Sequence, residues 1–436
     1  MSRILLSAYA CEPGKGSESE VGWMWATELQ AAGHEVWVIT RESNRYAIEA
    51  DNADRHRPGL HFAYYDLPRW LRRWKRGNDG VHWYYALWQW GAYRVARRLT
   101  KTIQFDCVRH VTFVGVRAPS LMGWLGLPFF LGPVSGGERV PGPLRAGMSR
   151  AAKWRERVRD VANWLIHTDP VMRASFRQAE RILVATPESR RLIPRSCREK
   201  CTVQLGVGLS REYLAWTGQK RTPPDGVLRL LYAGRLLEWK GVDLAIGAVK
   251  KLRQRGVLVR FTIVGEGPAW AGLRELAAQL GVEDVVRWVA WMPHEQLHDQ
   301  YYQHDVLLFP SLRDSGGMVV LEALAHGLPV VCTDRGGPGV IVNDRCGRVV
   351  RTEGRTRDEV IEALAESLFQ MSGDHVLRKR LSAGARSRAW EFDFHRVVER
   401  VHPKVRQQDS PAAEVRTAFQ VSAERAGANL VQLTSD

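Results

Sequence analysis

Between residues 4 and 332 the chain alternates short apolar, β-branched runs with longer amphipathic stretches, and it does so in two separate series. In the first series strands are expected at 4–8, 35–40, 61–65, 107–112, 129–133, 182–186 and 202–205, with helical patterns between most of them. The segment "REYLAWTGQKRTPPDG", residues 211–226, then loses periodicity and collects Pro, Gly and charge, which marks a linker. After it the alternation restarts, with strands expected at 228–233, 260–264, 285–290, 306–309 and 329–332. Strand–helix alternation of this kind specifies a mainly parallel sheet covered on both faces. Two doubly wound α/β domains facing across a cleft, residues 1–210 and 227–390, are therefore expected. At 436 residues the chain is long enough for two separate cores. The stretch from 356 to about 407 reads as helical and is expected to pack back on the first domain, with 391–407 as the returning helix. The polar stretch 408–436 is expected to be disordered.

Composition narrows the class. The chain is 45% hydrophobic and 25% charged, an ordinary globular balance. The opening "MSRILLSAYACEPG" has no long apolar leader pattern, and no 18 uncharged apolar residues run together, so neither a signal peptide nor a membrane span is expected. Six scattered cysteines, with only Cys197 and Cys201 close in sequence, read as free thiols in a reducing cytoplasm rather than as a zinc site. A formal charge of +16 calls for an anionic partner, for which nucleic acid, an anionic membrane surface and phosphorylated substrates all qualify.

The stretch "SLRDSGGMVVLEALAHGLPVV", residues 311–331, follows a buried strand and opens a helix closed by Gly327. Its glycines, Gly316 and Gly317, tolerate positive φ and expose the first helical amides, an anion site at a strand's carboxyl end. Asp314 and Glu322 flank that position. One acid could serve a sugar's hydroxyls and the other a ribose. In "LLYAGRLLEWKGVDLAIGAV" Arg235 and Lys240 fall in the next such loop, where two cations suit a diphosphate. "FTIVGEGPAW" ends another strand at Gly265 and Gly267.

The order G-R-L-x-x-x-K-G, V-G-x-G-P, acid-x7-Glu and A-x-x-x-G-x-P-V-V resembles the retaining glycosyltransferases of the GT-B fold, family 4. The resemblance spans nearly the whole chain and implies two Rossmann-like domains, the second binding a UDP- or GDP-linked sugar. It places Arg235 and Lys240 at the diphosphate, Glu322 at the ribose, and Gly265, Gly267, Asp314, Ser315, Gly316, Gly317 and Met318 around the donor. The family usually carries Glu-Gly-Phe-Gly where this chain reads Asp314-Ser315-Gly316-Gly317, so no sugar is named. "SAYACEPGKGSESEVGW" resembles the family's glycine-rich loop facing the donor diphosphate, with Gly14 and Gly16 before a helix capped by Ser17 or Ser19. His110 ends a strand where the family carries a histidine near the donor sugar. His110, Asp314, Arg235 and Lys240 are thus the expected catalytic groups. Glu12 is a candidate acceptor ligand or base, and Gly136 and Gly137 of "GPVSGGE" are expected on the acceptor side. The resemblance implies departure and attack on one sugar face, with the protein supplying orientation and charge stabilisation.

No D-x-D pattern stands in a position to hold a metal, so metal-independent transfer without a cofactor is expected. In "DLPRWLRRWKRGNDG" Leu67, Trp70, Leu71 and Trp74 share one helical face and Arg69, Arg72, Arg73 and Arg76 another. That is the composition of a helix lying on an anionic bilayer, with Trp70, Arg72, Arg73 and Trp74 as its contacts. The expected partners are a nucleotide-sugar donor, a saccharide or lipid-linked saccharide acceptor and an anionic membrane surface. The expected place is the inner face of the cytoplasmic membrane, in exopolysaccharide or lipopolysaccharide assembly. A nucleotide-sugar epimerase and a glucan synthase share the fold. The basic, Trp-rich composition also suits a nucleic-acid binder, but no such motif is present and nucleic acid is not an expected partner.

Overall fold

The computed structural model describes residues 1–68, 81–216, 218 and 225–402. Trp70, Arg72, Arg73 and Trp74, and the stretch 408–436, lie outside the described residues. Residues Met1–Glu399 form one compact unit, and a second begins at Arg400.

The first sheet has seven parallel strands: β1 Arg3–Ser7, β2 Glu35–Arg41, β3 Leu60–Tyr65, β4 Cys107–His110, β5 Phe129–Val134, β6 Arg181–Val184 and β7 Cys201–Val203. Their spatial order is β3-β2-β1-β4-β5-β6-β7. The second has six: β8 Leu228–Ala233, β9 Val259–Val264, β10 Val286–Val289, β11 Val306–Phe309, β12 Val330–Thr333 and β13 Gly347–Val350. They are also parallel, in the order β10-β9-β8-β11-β12-β13. Central strands such as β11 and β12 are buried at every position, which is why they read as unbroken apolar runs. β13 is a four-residue edge strand with Arg348 inside it, and for that reason left no apolar signal. In both sheets the winding reverses beside the first strand, between β1 and β4 and between β8 and β11. The crevice at the carboxyl ends there is the ligand position of an open α/β sheet.

Each sheet has its own apolar core, and the two are joined by a segment the strand pattern did not foretell. Val140, Leu144, Met148 and Ala152, between β5 and β6, pack into the second domain's core. There Glu238 accepts hydrogen bonds from the Ser149 amide at 2.6 Å and its hydroxyl at 2.7 Å. Near the C-terminus the helices Arg357–Ser372 and His375–Trp390 pack on second-domain helices, at Val242–Gln254 and Met318–Ala325 respectively. The return to the first domain comes only after them. Leu209 bonds Phe392 and Phe394 through its backbone, the Phe394 ring meets Trp25 at 5.4 Å, and His395 Nδ1 lies 3.0 Å from Glu28 Oε2. Among the described residues no helix is long and apolar enough to cross a membrane.

Candidate active site in the cleft between the sheets

The carboxyl ends of β4, β5, β8 and β11 enclose a cavity of about 550 Å³. Glu18, Val21, Val111, Pro133 and Ser135 line its first-domain side, and Gly234, Lys240, Phe309 and residues 314–319 line the other. The second-domain wall is two loops pressed together. Gly241, at φ 70°, lets the loop after β8 lie against the loop after β11, since a Cβ there would stand 2.1 Å from the Pro310 carbonyl oxygen. This brings Lys240 Nζ within 2.5 Å of Asp314 Oδ2. The other carboxylate oxygen, Oδ1, accepts from the amides of Gly316 at 3.1 Å and Gly317 at 3.2 Å. Asp314 therefore stands where the sequence suggested a bound anion and uses the two glycine amides itself. A third loop braces it from behind: the Gly337 amide donates to the Asp314 carbonyl at 2.6 Å, and a Cβ on Gly336 would come 1.9 Å from that same oxygen.

The structure thus gathers Lys240, Asp314, Ser315, Gly316, Gly317 and Met318 around the cavity and leaves other expected donor groups outside its lining. Arg235 is exposed. Gly265 and Gly267 serve loop packing, because a Cβ on either would stand 2.0 or 2.2 Å from the carbonyl of Gly234 or Leu236. Glu322 is only 8% exposed. It accepts from the Tyr301 hydroxyl at 2.9 Å and lies 3.2 Å from His294 Nε2, whose pKa it raises mainly through that hydrogen bond.

On the first-domain side the expectations are corrected more deeply. His110 is fully buried, not at the cavity. The Tyr85 hydroxyl, which accepts from Gln89 Nε2, lies 2.8 Å from His110 Nε2, and Ser120 Oγ lies 2.7 Å from its Nδ1. Burial lowers the imidazole pKa to about 4, so the ring is neutral near pH 7. The unfolded chain takes a proton on this ring near the ordinary value of 6.5. Between those two values the unfolded state binds more protons, so this group's contribution to stability falls as pH falls. The His110→Gln variant should lose less of its melting temperature between about pH 7 and about pH 4.5 than the parent, as read by differential scanning calorimetry.

Gly14 and Gly16 turn their loop amides, with that of Lys15, toward the Glu20 carboxyl rather than the cavity. Gly16, at φ 65°, takes the N-cap position of the helix Ser17–Ala31 in place of a serine side chain. Glu12 pairs with Lys15 at 2.6 Å. The Gly136 amide donates to Glu138 and the Gly137 amide to Ser189, and Gly137 lines a neighbouring groove instead. The carboxylate that does reach the cavity is Glu18, which the sequence reading missed. Glu18 remains exposed to solvent. The surrounding protein raises its pKa, against the lowering effect of the Phe113 amide that it accepts from. Phe113 takes a left-handed φ of 57°, a backbone conformation that no residue pattern announces. Among the described residues no group of three or more His, Cys, Asp or Glu side chains is placed to hold a metal ion.

Two parallel doubly wound sheets with a cavity between their carboxyl ends define the GT-B fold of glycosyltransferases. Residues 218–388 match the family model described as glycosyl transferases group 1. A putative colanic acid biosynthesis glycosyltransferase of Escherichia coli is 32% identical over 202 residues, 44% of this chain and 48% of that one. The matched stretch spans about half or less of the curated relatives' length. Among solved structures, a lipopolysaccharide outer core galactosyltransferase in its apo form superposes with a TM-score of 0.60 at 14% identity, covering 91% of this chain and 98% of that one. An Anabaena protein in complex with UDP does so at 0.55 and 14%, covering 92% and 98%.

Proposed function

We propose that this chain is a retaining glycosyltransferase that moves a sugar from a UDP- or GDP-linked donor to a saccharide acceptor carried on a lipid, in exopolysaccharide or lipopolysaccharide assembly. The observation that carries this reading is the Lys240–Asp314 pair on glycine amides at the winding reversal of the second sheet, facing the first domain across a cavity of substrate size. Lys240 supplies positive charge where a departing nucleoside diphosphate develops negative charge. Asp314, held in place by the amides of Gly316 and Gly317, orients the donor, and Glu18 faces the acceptor from the other wall. The relatives' roles in colanic acid synthesis and the lipopolysaccharide core support the polymer class, and the UDP-bound neighbour supports a nucleotide donor. Transfer proceeds without a metal or other cofactor, at the cytoplasmic face of the membrane.

The test incubates the full chain with UDP- and GDP-sugars, with and without a bacterial lipid extract, and measures free nucleoside diphosphate and labelled lipid. Acceptor-dependent release that persists in EDTA is expected. A sugar altered without any acceptor would replace this reading with an epimerase, and turnover abolished by EDTA would remove the metal-independent mechanism.

A further inference from the structure

The helix Arg150–Leu165 presents an apolar side to solvent. Its inward face carries Ala152, Glu156 and Asn163. Trp154, Val158, Val161, Trp164 and Leu165 are 64%, 46%, 58%, 65% and 48% exposed. At 3.6 residues per turn positions 154, 158, 161 and 165 fall on one stripe, with 164 at its edge. Arg150, Arg155 and Arg157 are exposed on the same helix, whereas its acids are engaged elsewhere, Glu156 by Arg313 and Asp160 by Arg145.

We propose that this stripe is a docking face for an anionic lipid bilayer. Trp and aliphatic side chains flanked by arginine match a headgroup boundary, where the apolar stripe enters the acyl region and the cations meet lipid phosphates. A second copy of the chain fits less well, because a two-fold contact would set the same arginines against one another in a molecule of formal charge +16. The inference goes beyond the transfer reaction and does not depend on it, but it has a consequence for that site. Glu156, on the inward face, holds Arg313, the neighbour of Asp314. A helix is about 10 Å across, so a bilayer docked here lies roughly one helix from the loop that carries Asp314.

The experiment is co-sedimentation of the full chain with vesicles of mixed phosphatidylglycerol and phosphatidylcholine, and with phosphatidylcholine alone, at low and high salt. The parent should bind the anionic vesicles and be released by salt. The Trp154→Ser/Trp164→Ser variant should bind about tenfold more weakly or worse, with an unchanged melting temperature since both side chains are exposed. Arg155→Glu/Arg157→Glu should lose the preference for anionic lipid. A parent that stays in the supernatant, or variants that sediment as the parent does, would overturn the assignment. So would a lipid-free dimer that the Trp variant dissolves, which would give the face to a second copy.

Discussion

Replacing Lys240 by Ala is expected to slow sugar transfer by roughly 100- to 1000-fold, the usual effect of removing one group preorganised for developing charge. The side chain is 17% exposed and lines the cavity at the edge of the winding reversal, with its ammonium 2.5 Å from Asp314. Its loss leaves Asp314 on the amides of Gly316 and Gly317, so the loop keeps its anchor and the variant should fold. Arg235→Ala is the informative control. Both cations sit in the same loop, yet Arg235 is exposed and outside the cavity lining, and less than about a tenfold loss is expected from it. Steady-state rates of nucleoside diphosphate release at saturating donor decide the matter. Equal losses in the two variants would mean that the cavity wall is not where the donor's charge is met.

The second large effect concerns stability. Glu156 is 2% exposed and is held by Arg313, whose guanidinium lies over the Trp239 ring at 4.0 Å. Burial lowers the Arg313 pKa to about 10. Glu156→Ala strands that charge between the domains, and breaking a buried pair by removing one partner costs about 3–5 kcal/mol. The melting temperature should fall by several degrees. Glu156→Gln, which keeps one acceptor oxygen, enough for Arg313 or for the Val140 amide but not both, should fall less. An Ala variant that melts with the parent would show that the pair does not hold the domains together.

Much of the fold was legible because buried parallel strands are written as apolar runs and loops at their carboxyl ends as glycine and charge. The strands β1 to β12 follow from those runs to within a residue or two. The loop after β11 could be placed at a strand's carboxyl end from its sequence, but not that Asp314 would itself take the amides of Gly316 and Gly317. What escaped depends on contacts between distant segments. The segment around Leu144 looks like any loop until the second domain is beside it, and Glu156 looks like one acid among many on a basic helix. The surroundings of His110 also escaped. Its place at a strand end is that of a site residue, but Tyr85, Gln89 and Ser120, far away in sequence, close over it. Glu18 was passed over because an acid in the first turn of a helix is ordinary chemistry for that position, and only the φ of Phe113 and the opposite domain make it part of a cavity.

The most direct measurement is calorimetric titration of UDP and of GDP into the full chain and its Lys240→Ala variant. One nucleotide should bind the parent saturably with one site per chain, and the variant at least about tenfold more weakly. Absence of binding by both nucleotides, or equal affinity in parent and variant, would contradict the assignment of this cavity to a nucleoside diphosphate sugar.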